Sequence, residues 1–280
     1  MRIAVMFTTF NRKQKTLACI ESLKQQKLPT SVSLELFVTD DSSSDGTAEA
    51  IAQSCPEANV YKGTGSLYWA GGMRYTWRKA FDHKPDFFLL LNDDTYLFNH
   101  AITDLLNTYN QNSSEPSIII GSTCNQESGK ISYGGWKLQS RFLWKSKIVH
   151  PSSQSVECDF ANANIMLVPN KIMEKVGILS EHFTHSLADY DYTLKAKKAG
   201  FSIKVAPGFL GNCIDDHGNN WKSRKTTLKE RLVYLHSPKG LAYKEYLKFI
   251  WDYFPLSYPS ALCKLWMKTL FPFLWDSLKR

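Results

Sequence analysis

The chain has 280 residues, of which 43% are hydrophobic, and it carries a formal net charge of +8. This length and apolar content exclude a disordered protein and suffice for one large α/β domain, while the basic excess favours an anionic partner such as a phosphate ligand, nucleic acid or membrane. Six scattered cysteines without a paired spacing argue against a zinc cluster or a secreted disulfide scaffold, and they favour reduced thiols in a cytosolic protein.

The first part of the chain alternates short apolar runs with amphipathic segments. The N-terminal apolar run is too short for a signal peptide and is typical of a buried strand. Strands are predicted at residues 2–7, 34–38, 60–61 and 87–91, and helices at residues 13–26, from residue 47 onward, and at 75–82. This order predicts a parallel sheet that is covered by helices.

The second part of the chain is less regular. It contains further predicted strands at residues 118–121, 165–168 and 202–205, and helices at 170–176 and 191–199. No apolar run reaches the ~18–20 residues that a membrane-spanning helix needs.

Polar side chains follow three of the predicted strands immediately. They occupy residues 8–12, 40–41 and 92–94. The carboxyl ends of parallel strands share one edge of the sheet, and ligands of such sheets bind there. We therefore expect the three clusters to converge on one ligand site.

The acidic residues in these clusters have two interpretations. Asp93 and Asp94 end a hydrophobic strand and could hold Mg²⁺ or Mn²⁺, or they could be capping residues of a loop. Asp40 and Asp41 could accept hydrogen bonds from a nucleobase or ribose, or they could form a turn. The dinucleotide-binding fingerprint is broken, because Tyr68 replaces the third glycine of a G-x-G-x-x-G, and no P-loop motif occurs.

Five segments resemble, in order, the motifs of the family 2 inverting glycosyltransferases. They are residues 5–12, 38–47, 90–95, 176–183 and 188–201. The resemblance extends over roughly residues 1–220 and includes a similarity to bacterial rhamnosyltransferase-like enzymes of surface polysaccharides. Two positions depart from the family pattern. Asn92 replaces the first acidic residue of D-x-D, and Ala188 replaces the usual glutamate.

The resemblance implies an α/β fold of the GT-A type, with a mostly parallel central sheet flanked by helices and a helical C-terminal extension. Residues 1–220 would form the catalytic domain. Its nucleotide-sugar-binding half would span residues 1–120, and its acceptor and catalytic half residues 121–220. Residues 221–280 would form the basic, aromatic extension.

The resemblance also implies roles for individual residues. Asp189 would be the general base, and Asp94 and His217 would hold Mn²⁺ or Mg²⁺. The implied donor-binding residues are Thr8, Thr9, Phe10, Arg12, Asp40, Asp41, Gly72, Arg74, Asn92 and Asp93. Residues 65–74 would lie against the donor, with Arg74 facing a phosphate, although a turn with core aromatic side chains is the alternative.

The implied activity is transfer of a sugar, with inversion, from a UDP- or dTDP-sugar to a glycan or a lipid-linked glycan. Such a step belongs to the synthesis of a surface polysaccharide, such as an O-antigen or a capsule. Two alternatives remain open from the residues. One is an inactive nucleotide-sugar-binding or scaffold protein, and the other is a sugar-phosphate nucleotidyltransferase.

Aromatic and basic residues alternate in the C-terminal extension. This mixture suits an anionic membrane interface, and it suits equally helices that pack on the catalytic body or at a homodimer contact. No sequence motif supports nucleic acid as a partner. We therefore expect a cytoplasmic protein, peripheral on the inner face of the cytoplasmic membrane if the extension binds lipid.

Overall fold

The computed structural model describes residues 1–111, 115–140, 142–213 and 226–273. The strands are β1 (Arg2–Thr9), β2 (Ser33–Asp40), β3 (Asn59–Lys62), β4 (Phe87–Leu91), β5 (Tyr96–Leu97), β6 (Ser117–Cys124), β7 (Ile131–Tyr133), β8 (Gly135–Leu138), β9 (Ser146–Ile148), β10 (Val156–Cys158), β11 (Phe160–Ala161), β12 (Ile165–Pro169) and β13 (Ser202–Asn212). The helices are α1 (Lys13–Lys24), α2 (Thr47–Ser54), α3 (Tyr68–Phe81), α4 (Ala101–Asn110), α5 (Asn170–Val176), α6 (Ala188–Lys198), α7 (Leu228–His236), α8 (Tyr243–Tyr253) and α9 (Tyr258–Leu270).

One large sheet forms the centre of the molecule, with the strand order β10-β13-β6-β12-β4-β1-β2-β3. The strands β1, β2, β3 and β4 pair in parallel, as does β13 with β6. Strand β12 runs antiparallel to both of its neighbours, β4 and β6. The predicted fold class, a mostly parallel α/β sheet flanked by helices, is confirmed.

The register of the strands brings the predicted polar clusters to one edge of this sheet. Thr9 pairs with Asp40 at the ends of β1 and β2, and β4 ends beside them at Leu91. Because β12 is antiparallel, it begins at this same edge, where Ile165 pairs with Leu91. The edge therefore collects the residues that follow three strands and those that precede a fourth.

The two faces of the sheet carry separate hydrophobic cores. Helices α1, α2 and α4 bury their apolar side chains against one face. Helices α3, α5, α6, α8 and α9 contribute to the core on the other face, where Trp77 of α3 packs 5.2 Å from Tyr192 of α6, ring centre to ring centre. This second core joins the donor side of the predicted domain to the helix that carries Asp189.

Helix α3 begins earlier than its sequence predicts. The predicted helix starts at residue 75, whereas α3 starts at Tyr68. Glycine has a low intrinsic helix propensity, so the pair Gly71 and Gly72 indicates a loop. A side chain at Gly72, however, would place its Cβ only 2.2 Å from Oγ1 of Thr8. The glycine lets α3 approach β1 closely, and tertiary packing outweighs the local preference.

The C-terminal extension packs on the rest of the protein through α8. Trp144 lies 5.2 Å from Phe249 and 5.0 Å from Phe254, measured between ring centres. The backbone N–H of Thr184 donates to Glu245 Oε2 at 3.0 Å. Of the two interpretations of the extension, packing on the body therefore holds for α8. Among the residues that the structure describes, no helix is long and apolar enough to cross a bilayer.

The hydroxyl of Tyr253 in α8 donates to Asp191 Oδ1 of α6 at 2.7 Å, and Asp191 is buried. We expect Tyr253→Phe to lower the free energy of unfolding by about 1–3 kcal/mol, because a buried carboxylate oxygen loses its donor. Chemical denaturation measures the change. Tyr246→Phe, at a half-buried position of the same helix, is the matched control and should change stability by less than about 0.5 kcal/mol. Equal effects of the two substitutions would contradict the assigned contact.

Candidate active site

An arginine holds the two acidic residues that follow β4. Arg12, in the turn between β1 and α1, places Nη1 3.1 Å from Asp93 Oδ1 and 2.6 Å from Asp94 Oδ2. Asp93 is buried, and burial raises its pKa to about 6, although the charge of Arg12 lowers it. A buried carboxylate without a cation would be costly, so this pair needs a positive charge close by.

The side chain of Asn92 contacts helix α3. Its Oδ1 accepts a hydrogen bond of 2.8 Å from Nε1 of Trp69 in the first turn of α3, and its backbone N–H donates to the carbonyl of Asn164 at 3.3 Å. The asparagine thus ties the end of β4 to α3 and to the start of β12. Trp69 belongs to residues 65–74, which the sequence analysis predicts to lie against the donor, and the structure joins its indole to the end of β4.

The paired carboxylates after β2 hold two loops in place. Asp40 Oδ1 accepts from the backbone N–H of Ser43 at 3.1 Å. Both oxygens of Asp41 accept backbone hydrogen bonds, from Gly65 at 2.7 Å and from Leu67 at 2.8 Å. Asp41 therefore positions the loop that leads into α3, and direct contact of either aspartate with a nucleotide stays a prediction.

The turn after β1 contributes both buried and exposed groups. Thr8 is buried beneath α3 and donates to the carbonyl of Thr39 at 3.1 Å, and Thr9 shares a 2.8 Å hydroxyl hydrogen bond with Thr16. Phe10 is 44% exposed at the open side of the same edge. Of these predicted donor-binding residues, Phe10 presents its side chain to solvent, where a planar base could stack on it.

Arg74 binds the segment that precedes α6. Its Nη1 donates to the carbonyls of Ser180 at 2.8 Å and Phe183 at 2.7 Å, and its Nε lies 3.0 Å from Glu181 Oε2. The guanidinium is buried, and desolvation lowers its pKa. The structure thus commits Nη1 and Nε of Arg74 to protein groups, and its predicted phosphate contact remains a prediction.

Asp189 lies in the first turn of α6, which begins at Ala188 rather than at the predicted residue 191. Its Oδ1 accepts a hydrogen bond of 2.9 Å from the backbone N–H of Tyr190, and its Oδ2 accepts one of 3.2 Å from the backbone N–H of Ala163. Although the residue is only half-buried, desolvation by the surrounding protein raises the pKa of Asp189 to about 6. A carboxyl group with such a pKa is suited to accepting a proton near neutral pH.

The segment 162–164 links Asp189 to the acidic edge. Its Asn164 carbonyl accepts from Asn92, and its Ala163 N–H donates to Asp189, so two adjacent residues contact both halves of the site. Asn162 accepts from Trp136 Nε1 at 3.0 Å and donates to Tyr190 Oη at 3.2 Å. The sequence analysis missed this segment. Its only signal is a pair of asparagines directly before the apolar run of β12.

The described residues supply only some of the ligands that a divalent-cation site needs. His217, the second predicted ligand, lies outside the described residues. Within the described ranges, no three His, Cys, Asp or Glu side chains form a group that could hold a metal. Asp93 and Asp94 nevertheless offer carboxylate oxygens. Mg²⁺ needs only one or two of these when substrate phosphates complete its shell. A cation at Asp94 would have to share or displace the contact with Arg12.

The sheet and its polar edge define the class of proteins with the GT-A glycosyltransferase fold. A family model described as Glycosyl transferase family 2 matches residues 4–152. The chain belongs to this family. No curated protein matches the chain.

Solved structures support the same fold. S. aureus TarS 1–349 in complex with UDP-GlcNAc is 16% identical with a TM-score of 0.57, and the match covers 84% of this chain and 66% of that one. The mannosyltransferase PcManGT from Pyrobaculum calidifontis, in complex with GDP-Man and Mn²⁺, is 16% identical with a TM-score of 0.54, over 97% of this chain and 70% of that one. The chain spans 39% of the longer S. aureus TarS structure.

Proposed function

We propose that this protein is an inverting glycosyltransferase that uses a nucleotide-diphosphate sugar as its donor. The proposal rests on family membership and on one observation. The segment 162–164 holds the Asp189 carboxylate on one side and the end of β4 on the other. It thereby brings a carboxylate with a pKa of about 6 next to an acidic edge that already carries a cationic side chain.

In the proposed reaction, Asp189 takes the proton of an acceptor hydroxyl as general base. The acceptor oxygen forms a bond with the anomeric carbon while the bond from that carbon to the donor's phosphate oxygen breaks. The electron pair of this second bond leaves with the nucleoside diphosphate. Arg12 contacts Asp94 at this edge. When the donor's diphosphate competes with Asp94 for the guanidinium, Arg12 can neutralise part of the charge on the leaving group.

Asp94, together with Asp93, would hold the divalent cation if one is bound, with His217 as a further candidate ligand. Bound Mn²⁺ or Mg²⁺ supplies charge neutralisation for a leaving diphosphate. The two carboxylates give this position negative charge, and Arg12 neutralises part of that charge while the donor is absent.

The donor and acceptor belong to the proposal as well. TarS was solved with UDP-GlcNAc and PcManGT with GDP-Man and Mn²⁺, so nucleotide sugars bind to this fold with either a pyrimidine or a purine base. For this chain we favour a UDP- or dTDP-sugar and a glycan or lipid-linked glycan acceptor, in the synthesis of an O-antigen or capsule.

A thermal-unfolding screen with UDP-, dTDP- and GDP-sugars in the presence of Mn²⁺ tests the proposal. A ligand at about 100 times its Kd should stabilise the native protein by roughly 2.7 kcal/mol, because it binds the folded state alone. The sugar 1-phosphate without the nucleotide is the control and should give no shift. If no nucleotide sugar raises the unfolding temperature, the proposed donor site is wrong.

One second function has specific support. Asn92 and Ala188 stand where the family has acidic residues, which is compatible with an inactive nucleotide-sugar-binding protein. Release of nucleoside diphosphate from the bound donor, with and without Mn²⁺, distinguishes the two. We expect slow release that a suitable acceptor accelerates. An inactive binder would shift in the thermal screen and release nothing.

A further inference from the structure

A continuous apolar stripe lies on the outer surface of the C-terminal extension. Exposed residues follow each other at a spacing of three and four residues along α9, where this spacing marks one helix face, and the same spacing continues into the segments on either side of the helix. They are Leu256, Pro259, Cys263, Trp266, Leu270 and Phe273. Leu256 is 68% exposed and Phe273 is 54% exposed, so the stripe is open at both ends.

The opposite side of α9 shows that this exposure is not the result of a loosely attached helix. Ala261, Leu265 and Thr269 are buried, and the first two belong to the core that includes α3 and α6. The helix therefore already has a buried face, and the stripe is a second apolar face. Large exposed apolar patches on soluble proteins commonly mark sites of protein or membrane interaction.

The charges around the stripe indicate which partner it has. Residues 226–273 contain seven Lys or Arg and three acidic residues, and α9 carries Lys264 and Lys268 but no acidic residue. The three acids are engaged within the protein: Glu230 in a helix-capping box, Glu245 with the Thr184 N–H, and Asp252 with Lys248. Residues 226–273 therefore carry a net positive charge, and the charged residues of α9 itself are both lysines.

We infer that the stripe docks the protein on an anionic lipid surface. Apolar side chains with tryptophan between them enter the headgroup region, while neighbouring lysines meet lipid phosphates. Trp266 lies within the stripe, and the exposed Trp251 lies beside it, 5.5 Å from the ring of Tyr258 at the start of α9. A second copy of the chain fits less well, because it would bring two positive surfaces together. This inference does not depend on the proposed transferase activity.

Co-flotation of the full chain with phosphatidylglycerol-containing vesicles, without donor or acceptor, tests the inference. The intact protein should bind at low salt, bind pure phosphatidylcholine vesicles weakly, and lose binding as salt screens the lysines. The triple variant Leu256→Ser/Trp266→Ser/Leu270→Ser should partition onto these vesicles at least ~10-fold less, because it has less apolar area to bury in the membrane. Lys244→Gln/Lys264→Gln should weaken binding and flatten its salt dependence.

The control is Phe81→Ser, which removes an aromatic side chain of 45% exposure from the far end of α3. It should bind vesicles like the intact protein, and thermal unfolding should show that every variant is folded. Failure of the intact chain to bind anionic vesicles at low salt would overturn the inference, as would unchanged binding of the triple variant. A dimer in solution that this triple variant dissociates, without vesicle binding by the intact chain, would assign the stripe to a second copy instead.

Discussion

Replacing Asp189 with asparagine should slow sugar transfer at least ~10²-fold while the protein still folds and binds its donor. The amide has the size of the carboxylate, and its oxygen can still accept one of the two backbone hydrogen bonds, from Tyr190 or Ala163. It cannot take up a proton. Losing the second hydrogen bond should cost about 1 kcal/mol of stability, which leaves a folded protein. Initial rates at saturating donor, calorimetric donor binding and thermal unfolding measure the three quantities.

Asp191, two residues further along α6, is the matched control. It is buried and accepts the Tyr253 hydroxyl at 2.7 Å, which joins the helix to the C-terminal extension. Asp191→Asn should therefore affect stability more than chemistry and keep the transfer rate within about tenfold of the original. The opposite pattern, a dead Asp191→Asn and a nearly normal Asp189→Asn, would make Asp191 the base.

The dependence of the rate on pH gives an independent check on Asp189. Burial raises its pKa to about 6, and a general base acts only when it is deprotonated. The transfer rate should therefore rise with pH through pH 6 and level off above it. Burial also raises the pKa of Asp93 to about 6, so the two residues must be separated. The rise should persist in Asp93→Asn and disappear from the residual activity of Asp189→Asn.

Removal of divalent cations should abolish transfer, and Mn²⁺ or Mg²⁺ should restore it. Asp94 follows a buried strand, and its carboxylate is held by one Arg12 nitrogen, which neutralises only part of the charge of Asp93 and Asp94 together. A diphosphate entering this edge would add further negative charge, and a divalent cation offsets it. The measurement is the initial rate in EDTA and after addition of each metal.

A direct binding measurement separates loss of metal from loss of activity. Asp94→Asn should reduce the binding of Mn²⁺ in the presence of donor at least ~10-fold, followed by the spectroscopic signal of free Mn²⁺. Asp82→Asn, at the exposed end of α3, should leave it unchanged. Full activity in EDTA would contradict the metal role of Asp94 and assign charge neutralisation to Arg12. Arg12→Gln would then abolish transfer.

The part of the site that follows directly from strand order was predictable. The clusters at residues 8–12, 40–41 and 92–94 each stand at the end of an apolar run, and parallel pairing brings them to one edge whatever the details of packing. The family resemblance added Asp189, because no periodicity links a residue of α6 to that edge.

The partners of individual side chains were not predictable, because they depend on tertiary contacts between distant segments. A positive side chain near a predicted phosphate site suggests a ligand contact, yet Arg74 meets two carbonyls more than a hundred residues away. Asn162 gave no periodic signal, because it follows the two-residue strand β11 in the irregular second part of the chain. That strand pairs with β8, which is more than twenty residues earlier. Gly72 was predicted to bind the donor, and the contact that the structure explains is a different one: the absence of a side chain lets α3 lie against Thr8.

The contacts of Arg74 also restrict how segments of this chain could be exchanged with those of its relatives. The donor-side helix α3 is joined to residues 180–185 by the guanidinium of Arg74 and by the backbone hydrogen bond from Ala70 to Thr184 at 3.1 Å. A chimera that exchanges residues 63–81 alone would leave a buried cation or several carbonyls without partners, at a cost of several kcal/mol. Residues 63–81 and residues 180–185 form one exchangeable module, and a functional exchange must carry both.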